Sequence, residues 1–283
     1  ADGGPINNLL IQIGFISEPY KFLSHVGSTR GLIALMNCLM WFGNTTILLM
    51  AGMLGIDTSL FEAAEVDGAT STQVFFKITL PLLRPILIYP TVSDYWNSFH
   101  QSRAIASYVD AVDNTDEQKL DEMRKAAQAY NEKLLSKQDR YEMSDQDKAE
   151  YESLLDVSGT GVMGYVEIPS INVSLPIYHG TDNTILQIGV GHIEGTSLPV
   201  GGASTHCAVS GHRGLTSSKL FTDIDQMAEG DTFKLYVLGK TLTYEVDQIR
   251  IVLPDELNDL KIEEGQDYCT LITCTPYGVN SHR

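Results

Sequence analysis

Three residue types that together make a thiol acyl-transfer site stand in the second half of this 283-residue sequence. Cys274 closes the run Tyr268-Cys269-Thr270-Leu271-Ile272-Thr273, whose apolar and β-branched residues read as a buried strand. Thr275-Pro276-Tyr277-Gly278 then turns the chain. Arg283 returns toward the thiol on what is expected to be the adjacent strand. Upstream, His212 sits in Ser210-Gly211-His212-Arg213-Gly214, a loop too rich in glycine for a helix. A thiolate attacks a carbonyl far better than a thiol does, and near neutral pH it forms only beside positive charge. Arg283 and a protonated His212 supply that charge. The set comprises a nucleophile (Cys274), a proton carrier (His212) and an oxyanion donor (Arg283). On residue type alone, a strand cysteine is more often inert core than nucleophile, and Arg283 is equally a surface arginine.

The elements that position these groups are expected to be short strands: Gly164 to Ile168, Val173 to Tyr178, His206 to Ser210, Thr232 to Leu238, Thr241 to Val252 and Tyr268 to Thr273. So many strands with turn signals between them indicate a β-barrel or sandwich, interrupted by a helix at Ser217 to Met227. Before the strands, Thr115-Asp116-Glu117-Gln118 reads as a capping box. Leu120, Met123, Ala127, Tyr130 and Leu134 then form the apolar stripe of one helix. Ser144-Asp145-Gln146-Asp147 caps a second, which carries Tyr151, Leu154 and Leu155.

Charge and composition narrow the function. A net charge of −17 excludes an exposed nucleic-acid surface, so no nucleic-acid partner is expected. The 43% hydrophobic residues suffice for a core. Acid is concentrated after Asp110, whereas the first hundred residues are apolar. The cysteines Cys38, Cys207, Cys269 and Cys274 show neither disulfide-framework nor zinc spacing. Cys207 and Cys269 read as small buried hydrophobes. No pair of histidines has helix-face metal spacing, so no metal site and no cofactor is expected. His206 competes with His212 but reads as a packing or rim residue. His282 points away from the face Arg283 uses, by strand alternation. No basic, apolar, cleavable leader opens the sequence at Ala1, which reads as a fragment at its front.

Thr270-Leu271-Ile272-Thr273-Cys274, preceded by Ser210-Gly211-His212-Arg213-Gly214 and followed by His282-Arg283, resembles a sortase. Tyr89 to Asn97, Gly161 to Pro169 and Gly191 to Pro199 resemble landmarks of class C, the pilin-polymerising branch. The likeness runs from about Tyr89 to the end. It implies a mixed fold with a helical segment over 89–157 and a mainly-β sortase barrel over 158–283, cut short at its last strand after Arg283. It also implies that Cys274, His212 and Arg283 are catalytic; the substrate-binding residues stay unassigned. The implied reaction cleaves a Leu-Pro-x-Thr-Gly-like sorting signal through a Cys274 thioester and passes it to a lysine amine of a pilin or other surface protein. The place is the outer face of a Gram-positive cell membrane. Many pilin sortases carry an Asp-Pro and aromatic lid; the sequence has no Asp-Pro pair, and Tyr141 to Asp156 is the segment that covers a cleft instead.

The front of the chain carries a second resemblance. Gly31 to Ile56 is uncharged and long enough for a membrane helix, which needs ~20 apolar residues. It is followed by Glu62-Ala63-Ala64-Glu65-Val66-Asp67-Gly68-Ala69 and by Phe75 to Pro85 with its Leu-Pro-Leu-Leu-Arg-Pro tail. These segments resemble the coupling loop of ATP-binding cassette importer permeases of the sugar-uptake type. The likeness implies an α-helical membrane fragment over 1–88, with a span at 31–56 and a coupling loop at 62–86. There Glu62, Ala63, Asp67 and Gly68 dock an ATP-hydrolysing subunit, provided the permease part is intact. The two resemblances collide at Ile86 to Pro90, where Ile86-Leu87-Ile88-Tyr89 is expected to span neither way. The whole reads as two joined coding sequences, with the transpeptidase as the main reading and an importer permease subunit or an inactive joined fragment as alternatives.

Overall fold

The computed structural model describes residues 5–21, 24, 27, 29–31, 35–36, 46, 49–137, 139–215, 217–254 and 256–275. The chain divides into two units, Ala1–Ile88 and Tyr89–Arg283.

The first unit is helical. Helix α1 spans Pro5–Gln12, and Asn7 exchanges two 3.0 Å hydrogen bonds with the Tyr20 backbone. Helix α2 (Thr58–Val66) starts on Asp57, whose carboxylate accepts from Ser59 N. It ends at Asp67, and Gly68 then takes φ 74°, a left-handed turn that a side chain would strain. Helix α3 (Ser71–Val74) opens with a complete capping box between Thr70 and Gln73. A π-helical turn, Phe75–Thr79, follows and leads into α4, Leu80–Asp113.

Ile86 to Tyr89, expected to stand as a short stretch between prolines, lies inside the longer helix α4. Proline lacks an N–H and its ring presses on the carbonyl four residues back, which would break a regular helix. Here the turn before Pro81 is widened, so that Leu80 N–H reaches the Phe75 carbonyl five residues back, and the helix continues. Among the described residues, the helical stretch that contains a window long and apolar enough to cross a membrane is Ser71–Asp113. Most of the expected span at 31–56 lies outside the described residues.

The second unit is a seven-stranded sheet with helices packed on it. Its strands are β1 (Val162–Ile168), β2 (Val173–His179), β3 (Val190–His192), β4 (Thr205–Ser210), β5 (Thr232–Val237), β6 (Lys240–Glu245) and β7 (Asp267–Ile272). They lie in the order β6-β5-β1-β2-β3-β4-β7. β2 with β3 and β4 with β7 are parallel; the other neighbours are antiparallel. Helix α5 (Glu117–Leu135) buries Leu120, Ala127, Tyr130 and Leu134, the expected stripe. It also buries Asn131, whose amide makes a two-way bond with the Leu198 backbone (2.7 and 3.2 Å). Asp116, rather than Thr115, caps α5, because the Thr115 hydroxyl is donated back to Ala111 O. Helix α6 (Asp145–Ser153) has the Ser144–Asp147 capping box. The C-terminal part of α4 is fastened to the sheet by Tyr108, whose hydroxyl donates to Met163 O at 3.0 Å and accepts from Leu238 N at 2.8 Å.

β3 is not among the expected strands, and one strand expectation and one helix expectation change. β3 is too short, and too interrupted by Gly191, to show alternation. β6 stops at Glu245 rather than Val252, because Val246 pairs with the Gly230–Asp231 turn (2.8 Å each) and leads the chain out of the sheet. The expected helix at Ser217 to Met227 is a loop with only one 3-10 turn, Ile224–Gln226.

Candidate active site

Strands β4 and β7 run parallel in register from Thr205↔Asp267 to Ser210↔Ile272. The pairing continues past both strands: Gly211 N donates to Ile272 O at 3.0 Å, and Thr273 Oγ1 donates to Gly211 O at 2.8 Å. His212 and Cys274 each stand two residues beyond the last paired positions, Ser210 and Ile272. The two residues leave the same end of the sheet on neighbouring strands, at matching positions. Both are half-buried. Arg283 and His282 lie outside the described residues, as does Cys38.

The His212 loop is built from several directions. Its carbonyl accepts from Phe221 N at 3.1 Å, closing residues 212–221 into a loop. The Phe221 ring lies fully buried beneath Gly211. A methyl group at residue 211 would fall 2.7 Å from that ring and 3.0 Å from Val190, so only glycine fits. Arg213 pairs with Asp225. From α4, Asn97 donates to Ser217 O (2.8 Å), Gln101 to Ser218 Oγ (3.0 Å), and Asp94 accepts from Lys219 N (2.8 Å). These bonds take up the Ser217 carbonyl, the Ser218 hydroxyl and the Lys219 N–H, and tie the segment to α4. The loop therefore replaces the expected helix. The sequence reading missed these α4 residues, although polar side chains at i, i+3 and i+7 within an otherwise apolar stretch mark one helix face.

A cleft of about 680 Å³ opens along this end of the β4–β7 ladder. Arg213, Thr273 and Thr275, the chain neighbours of His212 and Cys274, line it. Its far wall is the segment that leaves the sheet after β6, from Val246 to Leu260, and Tyr141 stands at another side. Arg140 ties these two walls, its guanidinium donating to Leu260 O at 2.5 Å. An extended strand end, an exposed wall and this volume suit a peptide in extended form.

His206 also lines the cleft and is structural, as expected. Its ring bonds to Lys261 O (2.8 Å) and Thr270 Oγ1 (2.7 Å), and burial holds its pKa below the ordinary histidine value, partly offset by the Lys261 carbonyl. His192 is fully buried, with Nδ1 2.9 Å from the Tyr151 hydroxyl and Nε2 2.9 Å from Ser197 O. Cys207 is buried as expected, while Cys269 is half-buried. Of the coupling-loop residues, Glu62 and Ala63 lie on α2, Asp67 is its C-cap and Gly68 makes the following turn.

Comparison with known proteins gives two family matches on different parts of the chain. Residues 166–283 match the family model of the sortase domain, and residues 6–108 match that of the binding-protein-dependent transport system inner membrane component. The crystal structure of sortase C1 from Streptococcus agalactiae is 49% identical, with TM-score 0.62, over 64% of this chain and 93% of that one. Sortase D from Bacillus subtilis is 32% identical over 114 residues, which are 40% of this chain and 54% of the relative. The lactose transport system permease protein LacF from Rhizobium radiobacter is 34% identical over 90 residues, 32% of this chain and 30% of the relative. The chain thus spans about half the length of that curated sortase and under a third of that permease.

Proposed function

We propose that this chain, which belongs to the sortases by its match over residues 166–283 and its likeness to class C sortase structures, and which carries an importer-permease segment matched over residues 6–108, is a cysteine transpeptidase. The observation that supports the reading is the parallel β4–β7 ladder, whose last pair, Ser210 and Ile272, stands two residues before His212 and Cys274, beside a cleft lined by their chain neighbours Arg213, Thr273 and Thr275. The Cys274 thiolate attacks the threonine carbonyl of a Leu-Pro-x-Thr-Gly-like sorting signal. His212 protonates the departing glycine amine, leaving a thioester on Cys274. The lysine amine of a pilin or another surface protein then attacks the thioester, gives up a proton and releases the thiolate. Arg283 donates hydrogen bonds to the oxyanion formed in each step.

The site of action is the outer face of a cell membrane. The apolar helix through Ser71–Asp113, with Tyr89, Tyr95 and Trp96 exposed, supports attachment by interfacial aromatic anchors. Glu62, Ala63, Asp67 and Gly68 form the docking loop for an ATP-binding subunit, a role supported by the two short helices around the Gly68 turn.

The test is a vinyl sulfone peptide bearing the sorting signal, added to the full chain and to Cys274→Ala and followed by intact mass and peptide mapping. The expected result is one adduct on Cys274, absent from Cys274→Ala. An adduct that persists on Cys207 or Cys269 in the variant would sink the assignment.

A further inference from the structure

We propose that Cys207 and Cys269 are a second thiol centre, which closes into a cross-strand disulfide on exposure to a peroxide. The pair does not depend on the Cys274 chemistry. It stands five residues before His212 and Cys274 on the same two strands, so it lies on the ladder that aligns those residues.

The register carries the argument. Cys207 and Cys269 are direct partners on parallel β4 and β7, so both side chains leave the sheet on the same face. Neighbouring strands lie ~4.7–4.9 Å apart, within the ~4.4–6.8 Å that a disulfide requires between Cα atoms. The β-carbons of two in-register residues keep about that separation, slightly more than the ~3.5–4.5 Å a disulfide prefers. Closure therefore draws the strands together a little, and the resulting bond is strained and easily reduced.

Access and reactivity differ between the two thiols. Cys269 lines the cleft, whereas Cys207 is 2% exposed. The hydrogen bond from Cys269 lowers the Cys207 pKa against the effect of burial, His192 adds to the lowering, and the same pairing raises Cys269. These properties give each sulfur a part. Peroxide entering from the cleft reaches Cys269 first and transfers an oxygen to its sulfur, a step slowed because that thiol is held protonated, giving a sulfenic acid and one water. The Cys207 thiolate then attacks that sulfur and displaces hydroxide, which leaves with the Cys207 proton as a second water. In sum, two thiols and one peroxide give one disulfide and two waters, and the peroxide takes up the two electrons.

The experiment uses the full chain carrying Cys274→Ala, with the unsubstituted chain mapped in parallel so that the result does not rest on the variant's folding. Each is treated with hydrogen peroxide at low protein concentration, alkylated, digested without reductant and mapped by mass spectrometry. The expected product is a joined peptide pair containing Cys207 and Cys269, two hydrogens lighter than the separate peptides. It should be released by reductant and lost in Cys269→Ser. Alkylation of both thiols after peroxide would overturn the proposal. Sulfinic or sulfonic acid on Cys269 without a joined pair would do the same, as would cross-links only to Cys38 or to a second copy. None of these outcomes depends on transpeptidase activity.

Discussion

The two units place their apolar residues in opposite ways. In the first, Phe15, Leu54 and Val66 are 80%, 84% and 88% exposed. In the second, Tyr151, Phe221 and Leu235 are each 0% exposed. The difference follows from period rather than from hydrophobic content. The first region has long apolar runs without a recurring polar face, so burying one side still leaves apolar residues outside; lipid or neighbouring helices suit such a surface. The second region has apolar residues at strand and helix spacing, separated by charge, so the elements close on one another. Burial in the second unit therefore contributes to its stability, and an exposed apolar side chain in the first adds little to its own.

Predictions that break or sharpen this contrast run from large to small. After Cys274→Ala, which removes the covalent path, the largest effect belongs to His212→Ala. It should slow release of the amine ~10²–10⁴-fold, read as single-turnover thioester formation with the adduct site unchanged. A rate within a few-fold of the unsubstituted chain would remove His212 from the mechanism.

Gly211→Ala comes next. Its new methyl meets the buried Phe221 ring at 2.7 Å, and such overpacking costs ~1–3 kcal/mol. Denaturant unfolding of the second unit should shift by that amount, and thioester formation should fall because the His212 loop moves. Stability held at the unsubstituted level would show that the loop has slack.

The contrast itself is measured by a pair of substitutions. Tyr151→Phe strips the hydroxyl that holds His192 Nδ1 at 2.9 Å and Gly180 N at 3.0 Å, leaving buried polar groups unpaired at ~1–3 kcal/mol. Val66→Ser, at an exposed position of the first unit, should stay within ~0.5 kcal/mol. Equal losses would contradict the division drawn here.

The smallest effect is at low pH. Hydrogen bonds from Lys137 and then Ser144 hold the Asp147 carboxyl at about 2, below its ordinary 3.8. Because the folded value is the lower one, the contribution is complete above the ordinary value and is lost as pH falls toward 2. An acid titration of Asp147→Asn should show a shallower loss of stability in that window, the difference from the unsubstituted chain being full at pH ~7 and fading as pH falls toward 2.

The sequence alone determined what depends on neighbouring residues. Alternating apolar residues from Tyr268 to Thr273 give the strand that ends at Cys274. Glycines around His212 exclude a helix there, and Ser144 with Asp147 fixes the start of α6. The stripe from Leu120 to Leu134 names the buried face of α5. Each of these is a local pattern of propensity or period, legible within a short window. Tertiary structure decided what depends on distant partners. Nothing near His212 or Cys274 indicates that β4 and β7 pair in parallel, since their hydrogen bonds join residues about sixty positions apart, as Thr273 and Gly211 do. Ser217 to Met227 has a helical pattern, yet Asp94, Asn97 and Gln101 on α4 take up its first polar groups and keep it a loop. The cleft wall after Glu245 looked like more strand until Val246 turned to the Gly230–Asp231 pair. Ile86 to Tyr89 looked like an isolated stretch between prolines, and α4 runs through it from Leu80 to Asp113. In each case a backbone donor or acceptor found its partner far along the chain or outside the regular pattern, and a local window holds no record of that.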